Sequence, residues 1–212
     1  MLKHKYIAIE GNIGAGKTSL ATRLANDLHA RLILEEFADN PFLAKFYENP
    51  ERYAFPLELS FLSERFYQLK KEVNQEDLFA PQIVSDYIIS KCQIFAKNNL
   101  PEDEYQLFLK MYEIVESSVT RPDLMIYLYQ DVDQLLSNIR KRGRDYEQKI
   151  EASYLENIQR QYLEFIRQHE EQRIVIIDTS SLDFVQNEID YQWIKEKILQ
   201  EYPIGLTRIQ KA

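Results

Sequence analysis

The sequence predicts an α/β protein with a five-stranded parallel sheet flanked by helices, and three observations carry that expectation. Its short apolar runs are continuous instead of alternating, as strands covered on both faces should be. Long stretches of helical periodicity separate those runs. The first run, Tyr6-Ile7-Ala8-Ile9, leads directly into a glycine-rich turn and then a helical pattern.

In chain order, Tyr6-Ile7-Ala8-Ile9, Leu32-Ile33-Leu34, Ile83-Val84, Leu124-Met125-Ile126-Tyr127-Leu128 and Ile174-Val175-Ile176-Ile177 read as strands. Helices are expected over 17–29, 51–73, 87–98, 102–119, 131–142 and 151–170, with another near 190–201. Pro101-Glu102-Asp103-Glu104 places a proline and acids in a first turn, and Asp131 stands as a cap ahead of Leu135, Leu136 and Ile139. No linker, repeat or low-complexity block divides the chain, so one domain over 1–212 is expected, with a basic lid segment at about 140–149. In such a sheet, ligands bind at the carboxyl ends of the strands. The stretch after Asp178 carries no functional signal of its own.

Composition excludes several classes. There are 34 acidic and 26 basic residues, a net charge of −8, which argues against a partner that is a nucleic-acid polymer. An anionic ligand must then be met by a local cluster of cations. Cys92 is the one cysteine, so neither an internal disulfide framework nor a multi-Cys zinc site is available, and a reducing compartment fits. The opening Met1-Leu2-Lys3-His4-Lys5 runs into a strand instead of a signal sequence, and no run reaches the ~18 apolar residues of a membrane span. A soluble cytoplasmic protein is the expectation.

Only 5 glycines occur, and three of them lie between positions 11 and 16. They belong to Gly11-Asn12-Ile13-Gly14-Ala15-Gly16-Lys17-Thr18, a complete G-x-x-x-x-G-K-[ST] after a strand and before the helical run that begins at Ser19. The expected architecture is therefore a P-loop NTPase-like three-layer fold. Successive backbone N–H groups of such a loop cradle phosphates, Lys17 bridges the β- and γ-phosphates, and the Thr18 hydroxyl binds Mg²⁺. ATP and Mg²⁺ are the implied cofactors. A GTPase would carry D-x-x-G and N-K-x-D, and neither occurs.

A small-molecule kinase needs three further parts: a carboxylate for the acceptor hydroxyl's proton, a basic lid and an acceptor pocket. Glu35 and Glu36 follow the second strand, where a carboxylate faces the γ-phosphate. Arg140-Lys141-Arg142-Gly143-Arg144 supplies four cations in five residues, with a glycine at which the segment bends. The helix Glu51 to Tyr67 offers aromatic residues for a base pocket and places Glu58 among apolar neighbours, where it needs a donor from an arginine or a ligand.

Together these segments, from about residue 5 to residue 180, resemble the deoxynucleoside kinase family, particularly its bacterial deoxyadenosine and deoxyguanosine kinases. Glu35 to Pro41 is similar to the Glu-x-x-Asp/Ala-x-Asn-Pro stretch of that branch. The resemblance implies transfer of the ATP γ-phosphoryl group to a sugar 5′-hydroxyl in nucleotide salvage, with Glu35 activating the hydroxyl. It implies that Tyr47 contacts the 3′-hydroxyl, that Glu58 stands at the base-reading amide, that Arg140, Arg142 and Arg144 are the lid arginines, and that Glu147 meets the 3′-hydroxyl. The chain following Arg173 to Asp178 packs against adenine in that family. Family members pair through two long helices, so a homodimer through 51–73 and 102–119 is expected.

Two departures stand out. The family's Asp/Glu-Arg-Ser after the third strand reads Ser85-Asp86-Tyr87-Ile88-Ile89-Ser90-Lys91 here, without the arginine. Lys91 is the candidate to supply that charge, and Asp86 the candidate to organise Mg²⁺ or the acceptor. The second departure is Glu58 in place of an amide, which favours a base presenting donors and makes thymine the least suited substrate. Two rival readings remain: a monophosphate kinase of thymidylate kinase type, drawing on Arg52 and Arg65, and a nucleotide-binding module without transfer.

Overall fold

The computed structural model describes residues 4–36, 40–73 and 82–211; Phe37, Ala38 and Asp39 of the Glu35–Pro41 stretch lie outside them. Six strands form one parallel sheet: β1 (Tyr6–Gly11), β2 (Arg31–Ile33), β3 (Ile83–Ser85), β4 (Leu124–Tyr129), β5 (Arg173–Asp178) and β6 (Gly205–Gln210), in the order β2-β3-β1-β4-β5-β6. The helices are α1 (Lys17–Leu28), α2 (Leu43–Glu48), α3 (Pro50–Val73), α4 (Lys91–Asn99), α5 (Glu102–Glu116), α6 (Val132–Arg142), α7 (Ala152–Gln168) and α8 (Glu188–Ile198).

Alternation along the central strands explains why they read as continuous apolar runs. In β1, Tyr6 and Ala8 face a core shared with α3, α4, α5 and α7, while Ile7 and Ile9 face a second core shared with α1, α6 and α8. β4 divides in the same way, with Met125 and Tyr127 on the first side and Ile126 and Leu128 on the second. All six residues of β1 are buried, which only a strand covered on both faces achieves.

The sheet has six strands where five are expected. β6 pairs with β5 from Arg173↔Gly205 to Asp178↔Gln210 and is an edge strand whose exposed residues alternate with half-buried ones. Its polar Thr207, Arg208 and Gln210 hide it from a search for apolar runs.

Two local differences bear on the site. The helix expected over 87–98 begins only at Lys91, because the turn before it is held open from outside: Ile88 N donates to Glu10 Oε1 at 2.8 Å and Ser85 Oγ donates to Tyr87 O at 2.8 Å. Between two prolines, α2 forms a six-residue helix that carries Tyr47. Asp131 sits at the start of α6, but its side chain makes no cap. Gly143 closes α6 at φ 72°, the left-handed conformation that glycine adopts without strain.

Glu10 is fully buried beneath the phosphate loop. Its second oxygen accepts from the Tyr162 hydroxyl of α7 at 2.8 Å, so one carboxylate ties β1, the turn before α4, and α7 together. Tyr162→Phe should therefore lower stability by about 1–3 kcal/mol, the usual cost of stripping a partner from a buried acceptor. Thermal or urea unfolding of the variant measures it, and an unchanged midpoint would show that the bond contributes nothing net.

Candidate active site

The phosphate loop is fixed from three sides. Asn12 is buried, and its amide donates to Leu155 O at 2.8 Å while its Oδ1 accepts from Ile13 N at 2.8 Å, so it anchors the loop to α7 and does not point at a ligand. Gly14 (φ 85°) and Gly16 (φ 83°) are both left-handed. A Cβ at Gly14 would stand 2.8 Å from Leu135 O, and one at Gly16 would stand 2.7 Å from Phe184 Cζ. Glycine is thus required there by backbone shape and by neighbours alike. Gly11, Asn12 and Ile13 lead into the turn, Ala15 is buried beneath it, and Thr18 and Ser19 are exposed at the head of α1.

Lys17 folds back so that its Nζ donates to Gly11 O and Asn12 O, each at 2.9 Å. Burial, joined by the nearby Lys91 charge, pulls its ammonium down to about 8.

At the mouth of the loop, Asp86 bridges two elements. Its Oδ2 accepts from Thr18 Oγ1 at 2.5 Å and its Oδ1 from Glu35 N at 2.8 Å. The side chain of Glu35, just beyond the end of β2, lies between two cations. Arg65 Nε donates to Oε1 at 2.9 Å and its Nη2 reaches the same oxygen, while Lys91 Nζ lies 2.5 Å from Oε2. These side chains are 5%, 8% and 11% exposed for Arg65, Lys91 and Glu35. Burial alone would raise the Glu35 carboxyl, but the Lys91 and Arg65 charges outweigh it and hold the group well below the usual carboxylate range. Glu36, by contrast, is exposed and accepts from Gln68 Nε2 at 3.3 Å.

Lys91, the candidate to supply the missing arginine's charge, therefore stands beside Glu35. Arg65 completes the arrangement: its fork grips one oxygen and the lysine point charge takes the other. Tyr87, in the arginine's place, turns away and donates through its hydroxyl to Gln68, which in turn donates to Leu34 O at 2.9 Å.

One cavity joins these groups to the acceptor candidates. It is lined by Glu35, Tyr47, Glu58, Arg65, Asp86, Lys91, Asn99, Arg142, Arg144 and Glu147, with Phe46, Phe61, Phe95 and Tyr154 as apolar walls. Glu58 is 1% exposed, and its donor is Asn99 Nδ2 at 2.7 Å instead of an arginine. Burial pushes its carboxyl up to about 7, only partly opposed by the Asn99 bond.

Two of the lid arginines reach the site. Arg142 and Arg144 both pair with buried Glu147, the latter at 3.2 Å, and Tyr146 stacks on Tyr47 with ring centroids 5.9 Å apart. Arg140 is exposed about 200° round α6 from Arg142 and lines neither this cavity nor the neighbouring groove. That groove runs along Gly14 to Ser19, Asn138, Arg142, Arg144 and the 180–186 segment.

Sequence reasoning did not assign Arg65, Asn99, Tyr146 or Phe95 to this pocket. Arg65 had a usable signal: it follows Glu58 by seven residues, two helical turns along the buried face of α3. Asn99 had none, since its contact depends on how α4 packs against α3.

The chain that builds this site is similar to known proteins. The profile of the family described as deoxynucleoside kinase matches residues 7–202. The chain belongs to the deoxynucleoside kinase family. It is 38% identical over 193 residues to the deoxyguanosine kinase of Bacillus subtilis, covering 89% of this chain and 93% of that one. Identity to the deoxyadenosine kinase of Dictyostelium discoideum is 34% over 199 residues, 92% of this chain and 79% of the other. Among solved structures, the deoxyadenosine kinase from M. mycoides with bound dATP superposes with a TM-score of 0.80 at 27% identity, covering 93% of this chain and all of that one. The protein is thus a phosphotransferase acting on deoxynucleosides. Among the described residues, no helix is long and apolar enough to cross a membrane.

The charges fix an expected pH profile. Glu35 stays ionised far into acid, so kcat/KM should show no acid limb from it, and should fall on the alkaline side as Lys17 loses its proton near pH 8. Lys91→Ala removes the largest charge holding Glu35 down. Its carboxyl then rises, and the pH–rate profile should gain an acid-side titration from Glu35 that the parent lacks. An unchanged profile would show that Lys91 does not govern the carboxylate.

Proposed function

We propose that the chain acts as one kinase domain that transfers the γ-phosphoryl group of ATP, with Mg²⁺, to the 5′-hydroxyl of a purine deoxyribonucleoside. The observation that carries the reading is the position of Glu35: an ionised carboxylate, clamped by Arg65 and Lys91, in the cavity that also contains Thr18 and Asp86 at the mouth of the phosphate loop.

In this mechanism the acceptor nucleoside lies in the cavity with its base toward Glu58 and its sugar toward Tyr47 and Glu147. Glu35 accepts the proton of the 5′-hydroxyl as the oxygen attacks phosphorus. ATP occupies the adjoining groove, its phosphates held by the backbone N–H groups of residues 14–19 and by Lys17, which exchanges its contacts with Gly11 O and Asn12 O for phosphate oxygens. Arg142 and Arg144 move from Glu147 to the charge developing on the transferring group, on the hinge that Gly143 provides. Arg140, exposed and away from both spaces, has no part in this scheme. Thr18 and Asp86 present a hydroxyl and a carboxylate 2.5 Å apart, a hard oxygen pair that suits Mg²⁺ together with phosphate oxygens and water. Bound there, the ion would neutralise phosphate charge.

A specific observation disfavours the monophosphate kinase. That reaction needs arginines for the acceptor's own phosphate, but Arg65 is committed to Glu35 and Cys92, and Arg52 is exposed and packs over Tyr53. A purine is favoured by the relatives, which include deoxyguanosine and deoxyadenosine kinases, while the acceptor character of Glu58 disfavours thymine.

Glu35→Gln tests the reading. Turnover with deoxynucleosides should fall by about 10²–10⁴-fold, the usual contribution of a general base, while ATP affinity stays within a few-fold. Retained turnover would remove Glu35 from the chemistry, and ATP binding without turnover in the parent protein would mark a binding module.

For assembly we propose a homodimer through α3 and α5, which expose Tyr67, Leu107, Met111 and Ile114. Ile114, 75% exposed, is the most open of the four. Ile114→Glu should convert a dimer to a monomer in light scattering, and a parent protein already monomeric at micromolar concentration would refute the interface.

A further inference from the structure

Glu58, toward which the base lies in the scheme above, is a buried titratable group in the cavity that takes no part in the phosphoryl transfer itself. It lies on the buried face of α3, two helical turns from Arg65, and is 1% exposed. One oxygen, Oε1, accepts from Asn99 Nδ2 at 2.7 Å. The other, Oε2, is buried with no hydrogen-bond partner among the described residues, in a residue that lines the acceptor cavity. An unsatisfied buried acceptor is costly, so a ligand bringing donors to this point recovers energy that the protein alone does not.

We propose that Glu58 reads the acceptor base in both of its charge states, the carboxylate taking guanine and the neutral acid taking adenine, with Asn99 fixing its orientation. The inference rests on the kinase reading of this same pocket. A carboxylate only accepts, which matches the two adjacent donors of guanine, N1–H and the exocyclic amine. A carboxylic acid donates through one oxygen and accepts through the other, which matches N1 and the exocyclic amine of adenine.

The surroundings allow both states near neutrality, since burial lifts the Glu58 carboxyl to about 7. Facing it are Arg65 from α3, Lys91 and Cys92 from α4, Glu35 beyond β2 and Tyr154 from α7. Glu35 is held ionised, while burial raises both the Cys92 thiol and the Tyr154 hydroxyl, keeping them neutral. Glu58 is then the member of this cluster that changes charge across neutral pH.

The test is the ratio of kcat/KM for deoxyguanosine to that for deoxyadenosine, measured by ADP formation with Mg-ATP at several pH values. Taking a ratio cancels groups common to both reactions, Lys17 included. A single proton titrating at about 7 predicts a rise of about 100-fold between pH 6 and pH 8. Glu58→Gln, a fixed donor–acceptor amide, should favour deoxyadenosine and make the ratio flat with pH. Asn99→Ala removes a bond that stabilises the ionised form, so the crossover should move to higher pH; this variant keeps the test open if Glu58→Gln folds poorly. A flat ratio in the parent protein, or an unaltered ratio in Glu58→Gln, overturns the proposal and leaves the kinase reading standing. Absence of turnover with every deoxynucleoside at every pH overturns both.

Discussion

The buried charge cluster around Glu35 is the constraint from which the rest of the site follows. Three ionised side chains, all at or below 11% exposure, are tolerated because each is held by an opposite charge at bonding distance. Their mutual dependence also joins three segments that are far apart in sequence: the exit of β2, the middle of α3 and the start of α4. Moving any one of them strands a charge in a low-dielectric interior, which costs far more than a surface ion pair is worth. The distance from the carboxylate to the phosphate loop is therefore set by electrostatics as much as by apolar packing.

A second carboxylate extends this constraint below the loop. Glu10 receives the backbone N–H of Ile88, and the turn thus positioned delivers Asp86 to Thr18 and Lys91 to Glu35. Lys91 and Lys17 both act on Glu10, opposing the effect of its burial. The acidic chain thus localises its cations where phosphate must bind and holds them apart with acids placed behind and between them. That resolves the conflict between a net charge of −8 and an anionic substrate.

Much of the fold was legible because the central strands are covered on both faces, and because G-x-x-x-x-G-K-[ST] demands a strand before it and a helix after it. What escaped was structure whose cause is non-local. β6 forms by pairing with β5, and its polar residues suit an edge. Tyr87 to Ser90 have helix-compatible side chains but are kept out of α4 by Glu10, 78 residues earlier than Ile88. At the site, Glu35 and Glu58 were marked by their position after a strand or among apolar neighbours, and Lys91 as the cation to supply the missing arginine's charge. Their partners Arg65 and Asn99 are assigned only once α3 and α4 are packed together.

The missing arginine shows why a motif is better read by the charge it delivers than by the residue it names. An arginine fork supplies direction as well as charge, and a lysine replacing it alone would leave Glu35 free to rotate about a point contact. Here Arg65 supplies the direction from α3, and Lys91 has only to neutralise the second oxygen. The vacated position is then free for an apolar ring: Tyr87 is completely buried, and its hydroxyl engages Gln68, which anchors Leu34 O at the exit of β2. That anchor acts one residue before Glu35. Tyr87 thus continues to position the carboxylate, through the backbone that carries it instead of through a charge beside it.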